Sequence, residues 1–302
     1  MGAFAAGPLA RRMNPRPATW LLTTAALILA GSSTLVLGLL TVSGLARIPL
    51  VESLKGYSPE AVARHDPTAW PAAVAAGILL VLVTAATARL AVRRAGALWS
   101  AALDAACLPG PGTVVVTEDH GPHAYAVPGL PGRIVISHGM LDALGPAGRE
   151  ILLAHEYAHL RHHHYAFVSL THLCAAANPL LRPLANTVAY TVERWADEQA
   201  AEDTGNRRAV AETVARAAVA TKRSHQSGRY VPAVALGLLD RAVGPGTVPR
   251  RVAALLQPPP RSRPLLLLAT GTLLLAGSLC AFEAAHALHE FLELAHASTT
   301  RG

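Results

Sequence analysis

His155-Glu156-Tyr157-Ala158-His159 is the stretch on which the reading of this chain turns. It has the form HExxH. On an α-helix, positions i and i+4 lie on one face, so His155 and His159 can point at a single metal ion. Glu156 then sits beside that ion, where it can hold and deprotonate a water molecule. Zinc lowers the pKa of such a water towards ~7, and the carboxylate completes its activation for attack on a peptide carbonyl. The flanks suit a helix, because Ala147 to Leu173 contains no proline and has glycine only at Gly148.

Two histidines do not complete a zinc site. One extended form of the motif requires glycine at 162 and histidine at 165. This chain has His162 and Tyr165 there. The other solution is a carboxylate from a later helix. Glu193 and Asp197, in Thr191-Val-Glu-Arg-Trp-Ala-Asp197, are an i, i+4 pair and share a face. One of them can bind metal while the other accepts the free ring N–H of a ligand histidine, which fixes its tautomer and raises its basicity. Glu198 and Glu202 are rival carboxylates, but neither has an aspartate four residues on.

HEYAHLRHHH followed by VERWADEQA resembles the BlaR/MecR-type membrane zinc metallopeptidases. It is more distantly similar to the HtpX and CAAX-prenyl endopeptidases, which pair HExxH with a glutamate in an ExxxD helix. The segment Ala124 to Leu141 resembles the β-hairpin that precedes the zinc helix in these families, so the likeness covers about residues 113 to 205. It implies one zinc ion per chain held by His155, His159 and Glu193. By the same resemblance Glu156 is the general base and Asp197 supports a ligand from behind. Cleavage of a cytosolic repressor or other regulator would follow from it as well. β-Lactam sensing would not, since 20 residues follow the last apolar run.

Composition agrees with a membrane protein. Hydrophobic residues make up 52% and charged residues 15% of the 302, against ~25% charged in soluble domains. Three charge-free runs, Ala18 to Leu45, Trp70 to Ala88 and Leu265 to Phe282, approach or exceed the length needed to cross a ~30 Å hydrocarbon core. The first exceeds the ~7–15 apolar residues of a cleaved signal peptide and reads as an anchor. Residues 1–17 carry Arg11, Arg12 and Arg16 and no acid, the 46–69 loop is neutral, and the tail from 283 is net −2. Arg89, Arg93 and Arg94 flank the second run, and Arg250, Arg251, Arg261 and Arg263 flank the third. Basic residues at span ends stay cytoplasmic. The expected layout is therefore a cytosolic tail (1–17), a span (18–45), an outside loop (46–69), a span with basic flank (70–94), a cytosolic zinc domain (95–263), a span (264–283) and an outside tail (284–302). The net charge of +7 then follows from topology. No basic patch with a reading helix points to nucleic acid. Cys107, Cys174 and Cys280 are scattered without a CxxC pair, which argues against a disulfide framework.

The expected fold class is α+β, mostly helical: a membrane-anchored, zincin-like metallopeptidase domain with a small sheet and three, or with a fourth element four, transmembrane helices. Val114–Val116, Tyr125–Val127 and Arg133–Ser137 read as strands, with Pro128 to Gly132 as a hairpin turn. Helices are expected over about 184–203, stopped by Gly205, and 207–222. Tyr165 to Leu181 is apolar and reads as a helix hairpin that dips towards the bilayer or packs within the domain. The Ala124–Val127 strand is a candidate edge for pairing with an extended substrate. His123, Tyr190 and Arg194 are nominees for stabilising an oxyanion. His163 is four residues past His159 and could face the site. The tail histidines His286, His289 and His296, with Glu290 and Glu293, read as a polar helix face.

These observations point to an integral-membrane zinc endopeptidase acting on a protein or peptide substrate. An HtpX-like protease for membrane-protein quality control is the neighbouring reading. A non-catalytic zinc-binding sensor or adaptor is the reading from another class, and a fourth protein ligand such as His163 would favour it.

Overall fold

The computed structural model describes residues 12–45, 70–107, 112–129, 132–226 and 246–259, with isolated positions at 7, 10, 271, 272, 283 and 286. The helices are α1 (Pro15–Leu45), α2 (Trp70–Cys107), α3 (His138–Arg161), α4 (His164–Ala177), α5 (Arg182–Thr204), α6 (Arg207–Gln226) and α7 (Thr247–Leu255). A single 3-10 turn, Pro179–Leu181, links α4 to α5. The strands are β1 (Val114–Thr117), β2 (Ala124–Val127) and β3 (Arg133–Ser137). The 46–69 loop, the third expected span apart from residues 271, 272 and 283, and the tail histidine cluster apart from His286 lie outside the described residues.

The chain divides into two compact units. The first comprises residues 1–23, 91–172 and 182–263. Its sheet has the order β1-β3-β2, with β1 parallel and β2 antiparallel to β3. β3 is β-branched through its middle, as a strand covered on both faces should be. Ile134 and Ile136 pack with Met140, Leu144 and Leu152 of α3. Val135, on the opposite face, packs with Val127 and with Ala101 and Ala105 of α2. The sheet is thus a thin layer between two helices. β1 and β2 are its edges, and only the β2–β3 half is the expected hairpin.

Ser137 ends β3 and caps α3, its hydroxyl accepting the Met140 N–H. The helix kinks at Gly145, whose φ of 68° is open to glycine, and restarts at Pro146. It does not run on to Leu173 as its composition suggested. It stops at His162, and His163 takes a left-handed φ of 51° before α4 begins. α3 packs against α5 and α6 through Ile151, Ala200, Ala201, Val210 and Ala211, with Leu255 of α7 closing the cluster. α5 is buried around nearly its whole circumference from Val188 to Glu198. Its polar side chains therefore need partners in the protein. Thr191 meets the Thr19 hydroxyl at 3.0 Å, Arg194 donates to the Ala10 carbonyl, and Glu198 pairs with Arg207.

The second unit comprises residues 24–90, 173–181 and 264–302. Within it Gly77 of α2 lies close to Thr41 of α1, and the Asn178 side-chain amide donates to the Ser33 hydroxyl at 3.2 Å. Pro15–Val42 and Trp70–Cys107 are long and apolar enough to cross a membrane. α4 has 14 residues, about 21 Å at 1.5 Å per residue, too short to be a further crossing by itself.

Candidate metal centre

His155 and His159 stand one turn apart on α3, and Glu193 comes from the buried middle of α5. The three converge. The two Nε2 atoms are 3.1 Å apart, His155 Nε2 lies 3.7 Å from Glu193 Oε2, and His159 Nε2 lies 3.6 Å from Glu193 Oε1. A tetrahedral ion with bonds of ~2.0–2.1 Å separates its ligands by about 3.3–3.4 Å. The triangle has that size, and its members are of the types zinc takes. The residues present therefore fit the metal that the HExxH pattern implies.

The supporting contacts sharpen the fit. His155 Nδ1 lies 3.2 Å from Asp197 Oδ1. A carboxylate there holds the proton on Nδ1 and leaves the Nε2 lone pair facing the centre. Glu156 is buried beside the triad. The Ala126 backbone N–H hydrogen-bonds its carboxylate, while Oε2 has no partner among the described residues. Burial, reinforced by Glu193 and opposed by His155, pushes the Glu156 carboxyl up to about 7. Burial opposes a charge on His155, but Asp197 and Glu193 outweigh it and raise that imidazole to about 10. Burial holds His159 down at about 4 against the pull of Glu193. Of the two imidazoles, His155 is thus the one that carries positive charge beside Asp197 and Glu193 in the metal-free protein.

Arg251 is the residue that sequence reasoning misplaced. It was expected among the basic residues flanking the third span. It is instead buried, with its guanidinium bidentate on Asp197 at 2.6 and 2.7 Å and 2.9 Å from Glu193 Oε2. Burial opposes ionisation of both carboxyls, yet Arg251 keeps them below the usual carboxylate range. The available signal was helical spacing, since Thr247, Arg251 and Leu255 form the buried i, i+4, i+8 stripe of α7. Its neighbour Arg250 lies over the Tyr190 ring, 5.6 Å from its centre.

The rival carboxylates separate cleanly. Glu198 is engaged with Arg207, and Glu202 is exposed. His163 is exposed and off the helix, so it does not approach as a fourth ligand. His164 takes the inner position instead, its Nδ1 3.1 Å from His159 Nδ1. Of the oxyanion nominees, Arg194 is turned to the Ala10 carbonyl and Tyr190 lies under Arg250. His123 is buried, with its backbone N–H on Ser137 Oγ and its ring 3.7 Å from Asp119.

A sequence model of Peptidase family M48 matches residues 91–177. The match covers under a third of the chain and takes in the end of α2, the sheet, α3 and α4. It includes His155, Glu156 and His159 and stops short of Glu193. It supports a metallopeptidase of that family in general terms. No curated protein and no solved structure is matched.

Proposed function

We propose that this chain is a membrane-anchored zinc endopeptidase that hydrolyses peptide bonds of a protein substrate. The observation that carries the reading is the convergence of two imidazoles and one carboxylate on a point beside Glu156. Three protein ligands leave a coordination position open, as catalytic zinc sites do and closed structural sites do not. Bound there, zinc would polarise the scissile carbonyl and acidify water. His155, His159 and Glu193 would hold the ion, and Asp197 would orient His155. Glu156 would take the proton of the attacking water and return it to the leaving amine.

The β2 edge supports a peptide substrate. The Ala126 N–H points at Glu156, so the open side of this strand borders the catalytic carboxylate. An extended substrate pairing with that edge would bring its backbone past the site. Two helices long and apolar enough to cross a membrane support the membrane anchor. The basic residues around them favour a zinc domain in the cytosol, where a regulatory protein would be within reach.

The test is proteolysis of unfolded casein by the detergent-solubilised, zinc-loaded protein beside Glu156→Gln. The wild type is expected to cleave. The variant is expected to retain zinc and lose at least ~100-fold in rate. Equal rates in the two would overturn the assignment of Glu156.

A further inference from the structure

His155 and His159 are held from behind by different chemistry. The partner of His155 is the Asp197 carboxylate. The partner of His159 is another imidazole. His163, at φ 51°, ends α3 and turns the chain so that His164 opens α4 facing back into the domain. His164 is fully buried. Its Nδ1 faces His159 Nδ1 at 3.1 Å, with the rings 88° apart and their centres 4.9 Å apart. The Trp195 ring, 4.6 Å away, packs against it from α5.

Two imidazole nitrogens at that distance share one proton, so one ring donates and the other accepts. Nε2 of His159 faces His155 and Glu193. If it is to offer a lone pair to a metal, its proton must be on Nδ1. His164 Nδ1 must then be the acceptor, with the His164 proton on Nε2.

We propose that His164 is a positioning residue for the metal centre, accepting the Nδ1–H of His159 and so fixing that ring in the tautomer and orientation that present Nε2 to the ion. This rests on the metal-site reading above. A neutral acceptor orients His159 without adding charge to a site that already holds Glu156, Glu193 and Asp197. The same nitrogen-to-nitrogen contact explains why a histidine, rather than a small apolar residue, occupies a fully buried position beside Trp195.

The test uses the full chain in detergent and reads zinc affinity by competition with a chelator. His164→Leu and His164→Phe remove the acceptor, the second keeping an aromatic ring. His164→Asn keeps an acceptor oxygen. Both variants lacking the acceptor should bind zinc about 10–100-fold more weakly, the range found when the partner of a ligand histidine is removed. His164→Asn should recover most of the loss, and metal-free melting temperatures will show which variants are folded. A folded Leu or Phe variant with wild-type zinc affinity would overturn the proposal, as would an Asn variant as weak as Leu. The wild type supplies a reading independent of variant folding. In its zinc-loaded form, ring ¹⁵N spectra should show His159 protonated at Nδ1, and a bare Nδ1 would sink the idea. A wild type that takes up no zinc would instead remove the metal-site reading itself, and this inference with it.

Discussion

At the scale of single residues, the centre is decided by a cation that its local sequence disguises. Arg250-Arg251 looks like a membrane flank because two adjacent arginines near an apolar run usually are one. Only Arg250 stays at the surface. Arg251 turns inward and neutralises two carboxylates, Glu193 at the metal position and Asp197 behind His155. Removing one partner of a buried ion pair typically costs ~3–5 kcal/mol, since the other charge is left uncompensated. Arg251→Met is therefore expected to lower the melting temperature of the metal-free protein sharply. Arg251→Lys should recover part of it, because a point charge cannot bridge Asp197 bidentately. A melting curve unchanged by Arg251→Met would contradict this role. The His155 proton gives a second expectation. Its folded pKa of about 10 lies above the ordinary imidazole value of 6.5. The stability it contributes is fully present below pH 6.5 and is lost as pH rises towards 10. Metal-free protein should thus melt at progressively lower temperature between pH 7 and 10. Zinc-loaded protein, in which the metal replaces that proton, should lack this trend. Parallel curves for the two forms would count against His155 as the proton's site.

At the scale of elements, the sequence was most legible where local chemistry and tertiary demand agree. Val114–Val116 and Arg133–Ser137 are β-branched runs bounded by proline and glycine, and they are strands. Glu193 and Asp197 share a helical face, and both reach the histidines of α3. Legibility failed where a backbone change has no compositional mark. Nothing in Arg161-His162-His163-His164 announces a break, since it contains neither glycine nor proline. A single left-handed residue at His163 still ends α3. That one turn exchanges His163 for His164 at the back of His159, which helical spacing alone could not show. The parallel pairing of β1 with β3 was equally hidden, because strand content does not report strand order. α7 was missed for a related reason. Its nine residues contain Pro249 and lie between Pro245 and the Pro258–Pro260 run, and their helical period shows only in the buried face shared by Thr247, Arg251 and Leu255.

At the scale of the molecule, two apolar helices, α1 and α2, each contribute to both compact units. With Arg251 buried, the basic residues that favour a cytosolic zinc domain are the N-terminal arginines, Arg89, Arg93 and Arg94, and Arg250, Arg261 and Arg263. Arg94 is itself half-buried, donating to Ser169 Oγ at 3.2 Å. The proposed orientation then draws its support mainly from the residues around α1 and α2. The proposed catalysis requires that α3 and α5 together hold a single ion with three protein ligands. X-ray absorption at the zinc edge of the purified, metal-loaded protein measures this directly. The account predicts one zinc per chain with two imidazole nitrogens, one carboxylate oxygen and one exchangeable light-atom ligand at ~2.0–2.1 Å, and no sulfur. A shell closed by four protein ligands, or one that survives unchanged in Glu193→Ala, would contradict it.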